Sequence, residues 1–273
     1  MRYALLALAL LLAACDATDP INDTADPTPP PTAAFTFDGS FPATAAVPAP
    51  PSAVGEHFVQ GAVRVGVVST VIGAWLAIPA AVTDAATDTD PVVENGTWIW
   101  ENTVPVRGTT FTFRLEGTPA GTTVDWQMLV SSDRPVDGYT YDDFGLYTAT
   151  TTLTGRRGDW RLFVPVDGVR TRVLDADFEV TSATVAEITY SVPDTNPNAG
   201  ARGSSVRYAA DGAARLFDWH QEPEGFDHLV AWDAVTHAGS IEATNYNGGA
   251  RACWDAQLDD APCAPAAQVL AGQ

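Results

Sequence analysis

The chain has 273 residues, 46% of them hydrophobic, and carries 34 acidic against 14 basic residues, a net charge of −20. Every basic residue is arginine. Such a field repels nucleic acid and anionic surfaces, which excludes a nucleic-acid-binding protein, while the apolar share is that of a globular protein and allows a real core.

The N-terminus has the anatomy of an export signal. Arg2 is the positive start, Ala4 to Leu12 is the apolar stretch, and small residues precede Cys15. The stretch is too short to span a hydrocarbon core comfortably, which takes about 20 residues. The four residues Leu12-Ala13-Ala14-Cys15 resemble the lipobox of bacterial lipoproteins. That resemblance implies that residues 1–14 form a removable signal peptide and that Cys15 is lipidated on sulfur and acylated on its new amino terminus, with palmitate-type chains. It also implies an exported protein held to a membrane through that lipid. In the enteric sorting rule Asp16, directly after the cysteine, retains a lipoprotein in the inner membrane; in other lineages early acidic residues such as Asp16 and Asp19 resemble a surface-export signal. The acidic, lysine-free composition favours the second case, an outer-membrane or cell-surface location.

Residues 15–51 read as a disordered tether, rich in Pro, Thr, Ala and Asp, with Pro29-Pro30-Pro31 and a second cluster at Pro48, Pro50 and Pro51. Such composition favours extended polyproline conformations and cannot bury a core. Phe35, Phe37 and Phe41 interrupt it, as a short docking strand or only a sticky spot.

Residues 52–84 read as a helix. Val59, Val63, Val67, Val71, Trp75 and Ile78 recur at the three- and four-residue steps of one helix face. The other side, with Val65, Val68, Ile72 and Leu76, is also apolar, and no charge occurs from Val65 to Val82. A membrane span is one reading of such a run. Gly66, Ser69, Thr70, Gly73 and Pro79, and the redundancy of a second anchor, favour a buried helix packed on a sheet, with Pro79 expected to kink or end it.

From residue 94 to 263 the period changes to two. Thr110 to Glu116 alternates without error, and Val124, Trp126, Met128 and Val130 alternate with Asp125 and Gln127. This is the mark of antiparallel strands with one wet face. Asn95-Gly96, Asp137-Gly138, Asp167-Gly168, Asp211-Gly212 and Asn247-Gly248 punctuate the strands as hairpin turns. The expected fold is α+β and mainly β: a meander of roughly eight to eleven strands curved around or packed on one N-terminal helix, followed by a flexible tail at 264–273. This architecture loosely resembles half-barrel lipoprotein carriers over residues 53–250, with no motif from which ligand residues carry over. Ala252-Cys253-Trp254-Asp255 with Cys263 is similar to the ending of uncharacterised helix-then-meander envelope lipoproteins and implies no known activity.

With Cys15 lipidated, Cys253 and Cys263 remain, and in an oxidising compartment they are expected to pair. Asp255, Asp259 and Asp260, inside or beside that loop, are candidate oxygen ligands for Ca2+, although their spacing matches no calcium loop and a solvated acidic loop is the plainer account. His220, His228 and His237, beside Asp218, Glu222, Glu224 and Asp227, are candidates for a metal or for acid–base chemistry; surface hairpin positions are the plainer account. Asp142 and Asp143 with Tyr139 and Tyr141 suggest a glycan surface or an ordinary turn. There is no Gly-x-Ser-x-Gly nucleophile, and no catalytic residue is assigned. The expectation is a non-enzymatic binding or scaffold module, with an apolar ligand held between helix and sheet as its sharper form. The alternative is a glycan- or metal-dependent surface enzyme using the His220/His228 acidic segment. A pocket of a few hundred cubic ångströms with apolar walls favours the carrier, and a filled core opposes it.

Overall fold

A computed structural model describes residues 54–136, 138–182 and 184–263. The expected signal peptide, Cys15 and its lipidation, the tether and the tail lie outside the described residues.

Among the described residues one α-helix, α1 (Glu56–Thr87), precedes fourteen strands. These are β1 (Val92–Glu94), β2 (Thr97–Val106), β3 (Thr109–Ala120), β4 (Thr123–Ser132), β5 (Phe144–Thr152), β6 (Arg157–Val166) and β7 (Val169–Ser182). They continue as β8 (Val185–Ser191), β9 (Ser205–Asp211), β10 (Ala214–Gln221), β11 (Phe226–Asp233), β12 (Gly239–Ala243), β13 (Ala252–Trp254) and β14 (Asp260–Ala261). All fourteen pair in chain order as one antiparallel meander, so the fold class is the expected mainly-β α+β. The strand count exceeds the expected eight to eleven because β1, β13 and β14 have only two or three residues, too few to show alternation. Hairpins with two-residue loops close at Asn95-Gly96 and Asp167-Gly168, both residues of each having positive φ, as tight primed turns require. Arg107-Gly108 closes β2 onto β3 with the same signs but without the Asn or Asp that announces such a turn. Asn247-Gly248 lies instead in a short 3₁₀ turn, Asn247–Gly249.

Alternation along the strands sends one set of side chains inward. In β4, Val124, Trp126, Met128 and Val130 are buried. With Trp98, Trp100, Trp160 and Trp254 they join a core that α1 enters from above the sheet's inner face. The helix packs against β2 and β3 near one end of the strand order and against β12, β13 and β14 at the other, so the sheet curves around it.

Of the two apolar faces of α1, the core takes the second. Phe58, Val65, Val68, Ile72, Leu76, Val82 and Ala86 are buried, while Val59, Val63, Val67 and Val71 are 42–57% exposed. Phe58, Val65, Ile72, Pro79 and Ala86 repeat every seven residues, the narrow seam of a helix gripped along its length. Pro79 neither ends nor divides α1, which continues to Thr87. The Thr83 hydroxyl lies 2.8 Å from both the Pro79 carbonyl and the Tyr147 hydroxyl, binding this turn to β5. No helix among the described residues is long and apolar enough to cross a membrane.

The C-terminal segment closes the other end. Cys253 and Cys263 form a disulfide with Cα atoms 5.2 Å apart. Inside that loop the Leu258 carbonyl accepts from Gly55 N at 2.8 Å, and Asp260 Oδ1 accepts from His57 N at 2.9 Å. Asp260 thus caps the first turn of α1 from a distant strand and opposes its positive dipole end. Replacing both cysteines with serine should lower the unfolding free energy by about 2–3 kcal/mol through the freed loop, read from urea midpoints. No change would show that the clamp holds without the bridge.

Candidate functional site

Beside the core, a cleft of about 320 Å³ opens between the middle of α1 and strands β7 to β10. Val67, Val68, Val71 and Ile72 form its helix wall. Val173 and Leu174 on β7, Tyr190 on β8, Val206 on β9 and Trp219 on β10 form the sheet wall. Val67 and Val71 belong to the exposed stripe of α1, so that stripe runs into the cleft rather than standing apart from it.

The third wall is the segment between β8 and β9, pinned by one residue. Asn196 is buried, its amide donates to the Val173 carbonyl at 2.8 Å, and its Oδ1 accepts from Asn198 N at 2.8 Å. Arg202 Nε donates to the Asn196 carbonyl at 2.7 Å. Buried polar groups hold irregular backbone in this way when their bonds are satisfied. Tyr190, 1% exposed, lines the cleft; its hydroxyl is buried without a hydrogen-bond partner, and burial pushes its pKa up.

One turn before Val68, Arg64 reaches from α1 toward the sheet. Its Nε donates to His228 Nδ1 at 3.2 Å, one terminal nitrogen to Gln60 Oε1 at 2.6 Å and the other to Asn245 Oδ1 at 3.0 Å. His228, expected on a hairpin surface, is 2% exposed and stacks on Trp219 with ring centroids 4.6 Å apart. Burial first, and then the Arg64 charge, hold its pKa below the ordinary histidine value.

The remaining candidates are dispersed. His220 Nδ1 lies 2.7 Å from Asp227 Oδ1 and Nε2 lies 3.4 Å from Glu222 Oε1. Hydrogen bonds to Asp227, then Glu222, raise its pKa. His220 itself is on the outer face and does not line the cleft, although Glu222 does. His237 sits in the β11–β12 turn, with its carbonyl accepting from Trp254 Nε1 at 2.7 Å. Asp255 Oδ1 accepts from the backbone of Gln257 and Asp259 at 2.9 and 3.1 Å. With Asp260 occupied as the helix cap, Asp255, Asp259 and Asp260 do not converge. No group of three or more His, Cys, Asp or Glu side chains among the described residues is placed to hold a metal ion. Tyr139, Tyr141 and Phe144 pack edge-to-face on one another at 5.0–5.8 Å, and Asp142 and Asp143 form the bend between Tyr141 and Phe144. Arg64, Tyr190 and Asn196 carried no functional signal in the sequence, save that Arg64 is the one arginine of α1.

The outer face has its own electrostatics. Asp159 on β6 faces Asp177 on β7 directly. Burial, together with the charges of Asp177 and Asp125, raises the Asp159 pKa against the opposing pull of Arg161. A raised folded-state value means that the protonated form is the better tolerated one in the fold. The resulting stabilisation is present at low pH and is lost as pH rises through the folded pKa. Asp159→Asn should therefore stabilise at neutral pH by roughly 0.5 kcal/mol, the scale of opposed like charges across strands, with the gain vanishing at acid pH. Urea midpoints at the two pH values check this, and a destabilised variant at neutral pH would contradict it.

No family model, curated protein or solved structure matches the chain.

Proposed function

We propose that this chain is a cell-envelope lipoprotein, anchored to a membrane through Cys15, whose domain is a non-enzymatic module holding an apolar ligand between α1 and the sheet. The observation that carries the ligand part is the cleft itself: about 320 Å³, walled mainly by valine, leucine, isoleucine and aromatic side chains. Small-molecule sites have this make-up, largely apolar walls with a few polar groups that orient the occupant. The Asn196 segment, with Asn198, Ser204 and Ser205, supplies such groups here. The anchoring part rests on the lipobox resemblance of Leu12-Ala13-Ala14-Cys15.

Purifying the full chain as its Cys15→Ser variant, which needs no detergent, and analysing its organic extract by mass spectrometry tests the ligand part. A stoichiometric apolar compound supports the carrier; a clean extract favours a scaffold. Replacing Cys15 with serine tests the anchor, because the wild-type chain should partition with membranes and the variant should not.

A further inference from the structure

We infer that the ligand is an anionic amphiphile, its single apolar chain in the cleft and its carboxylate or phosphate on Arg64. This rests on the carrier reading and adds the chemistry of the headgroup.

The two sites adjoin. Arg64 precedes Val67 and Val68 by three and four residues, the spacing of neighbours on a helix surface, and both valines line the cleft. On the sheet side Trp219 also lines the cleft, and it stacks on His228 with an interplanar angle of 23°. Arg64 and His228 thus adjoin the cleft through Val67, Val68 and Trp219 without lining it themselves.

Arg64 lacks a counter-charge. All its hydrogen bonds go to neutral acceptors: the Gln60 carbonyl and amide oxygens, Asn245 Oδ1 and the imidazole. The Tyr246 ring lies 5.6 Å from its guanidinium carbon. Among the described residues no carboxylate stands within 4.0 Å of it, in a chain of net charge −20. Arg114, Arg134, Arg157, Arg161, Arg172 and Arg207 each meet a carboxylate. Among the described residues Arg107, Arg156, Arg170, Arg202, Arg215 and Arg251 share the lack of one with Arg64, and of these seven only Arg64 and Arg170 have a pKa lowered by burial. A partly desolvated cation without a partner is costly, and a charge-assisted bond to an anion relieves it.

His228 fixes the Arg64 side chain rather than binding the headgroup itself. Because Nδ1 accepts from Arg64, the proton of the neutral ring is on Nε2. That nitrogen is buried and points to the far side of the ring from Arg64, so the headgroup contact is the guanidinium's alone. The overall acidic field opposes any anion, so selective binding of one would have to come from this local cation.

The test is displacement of a neutral fluorescent probe, N-phenyl-1-naphthylamine, from the full chain by dodecanoate, dodecyl phosphate and dodecanol, at low and high salt. Expected is a roughly tenfold preference for an anion over the alcohol at low salt, weakened by salt. The ratio of dodecanoate to dodecyl phosphate tells which headgroup is favoured. Arg64→Gln should erase the preference while leaving dodecanol binding intact, and Arg64→Lys should keep part of it. Equal binding of anions and alcohol to the wild type, or a preference that survives Arg64→Gln, overturns the headgroup assignment and leaves the carrier standing. No binding of the probe or of any of the three compounds overturns both. If circular dichroism shows Arg64→Gln unfolded, the wild-type salt series decides: a preference lost at high salt supports the site, and one indifferent to salt refutes it.

Discussion

Replacing Ile72 with aspartate is expected to unfold the protein, whereas the same change at Val63 should move its stability by no more than about 0.5 kcal/mol. The two residues lie on one helix, nine positions apart, and are of similar hydrophobicity. Ile72 is 6% exposed and packed in the core, while Val63 is 57% exposed. Ile72→Asp forfeits about 2–3 kcal/mol of apolar burial and places an unpaired carboxylate in the core at several kcal/mol more. The sum rivals the entire stability of an ordinary domain, about 5–15 kcal/mol. Far-UV circular dichroism and urea titration of the two variants decide it; equal tolerance of both would mean that α1 does not sit in the sheet with this face inward.

The second large effect is at Trp254. Its truncation to alanine should cost about 3–5 kcal/mol, a fall in melting midpoint of roughly 10 °C. The side chain is 2% exposed, stands edge-on to Phe58 at 5.8 Å and donates from Nε1 to the His237 carbonyl. It joins the first turn of α1 to the last strands, with Gly239 opposite kept free of a Cβ that would collide with the indole ring. Calorimetry of Trp254→Ala checks this, and a loss below 1 kcal/mol would show that the C-terminal clamp is dispensable.

The legible parts of the fold were those where one period dominates. In β4 the inward tryptophan and methionine alternate with aspartate and glutamine, so both strand and buried face could be read. The helix was legible as a helix, but its inward face was not. Both sides are apolar, so periodicity offers two answers and only the packing partner chooses. His228 was misplaced for a related reason. It neighbours Leu229, and polarity alone sends the histidine out and the leucine in; the structure does the reverse. Counting back by two from the buried Val230 and Trp232 would have placed His228 inside, where Trp219 and Arg64 receive it. The cleft had no sequence signature. It depends on Asn196 folding an irregular segment against β7, a tertiary bond that leaves no trace in hydrophobic pattern. Asp255, Asp259 and Asp260 illustrate the converse: the acidic cluster was conspicuous, yet Asp255 and Asp260 are held by backbone amides that only the folded loop brings near.

If the space between α1 and β7 to β10 receives an apolar chain, a variant that fills that space should lose the binding. Ala201 lines the cleft from the β8–β9 segment and is only partly buried, so Ala201→Trp should fill the space without overpacking the core. Val235, 77% exposed in the β11–β12 turn, provides the control Val235→Trp. Isothermal titration of the full chain with dodecanol should give one site, weakened by about tenfold or more in Ala201→Trp and unchanged in Val235→Trp. Equal affinity in all three proteins, or no binding by the wild type, would show that no apolar chain enters the cleft.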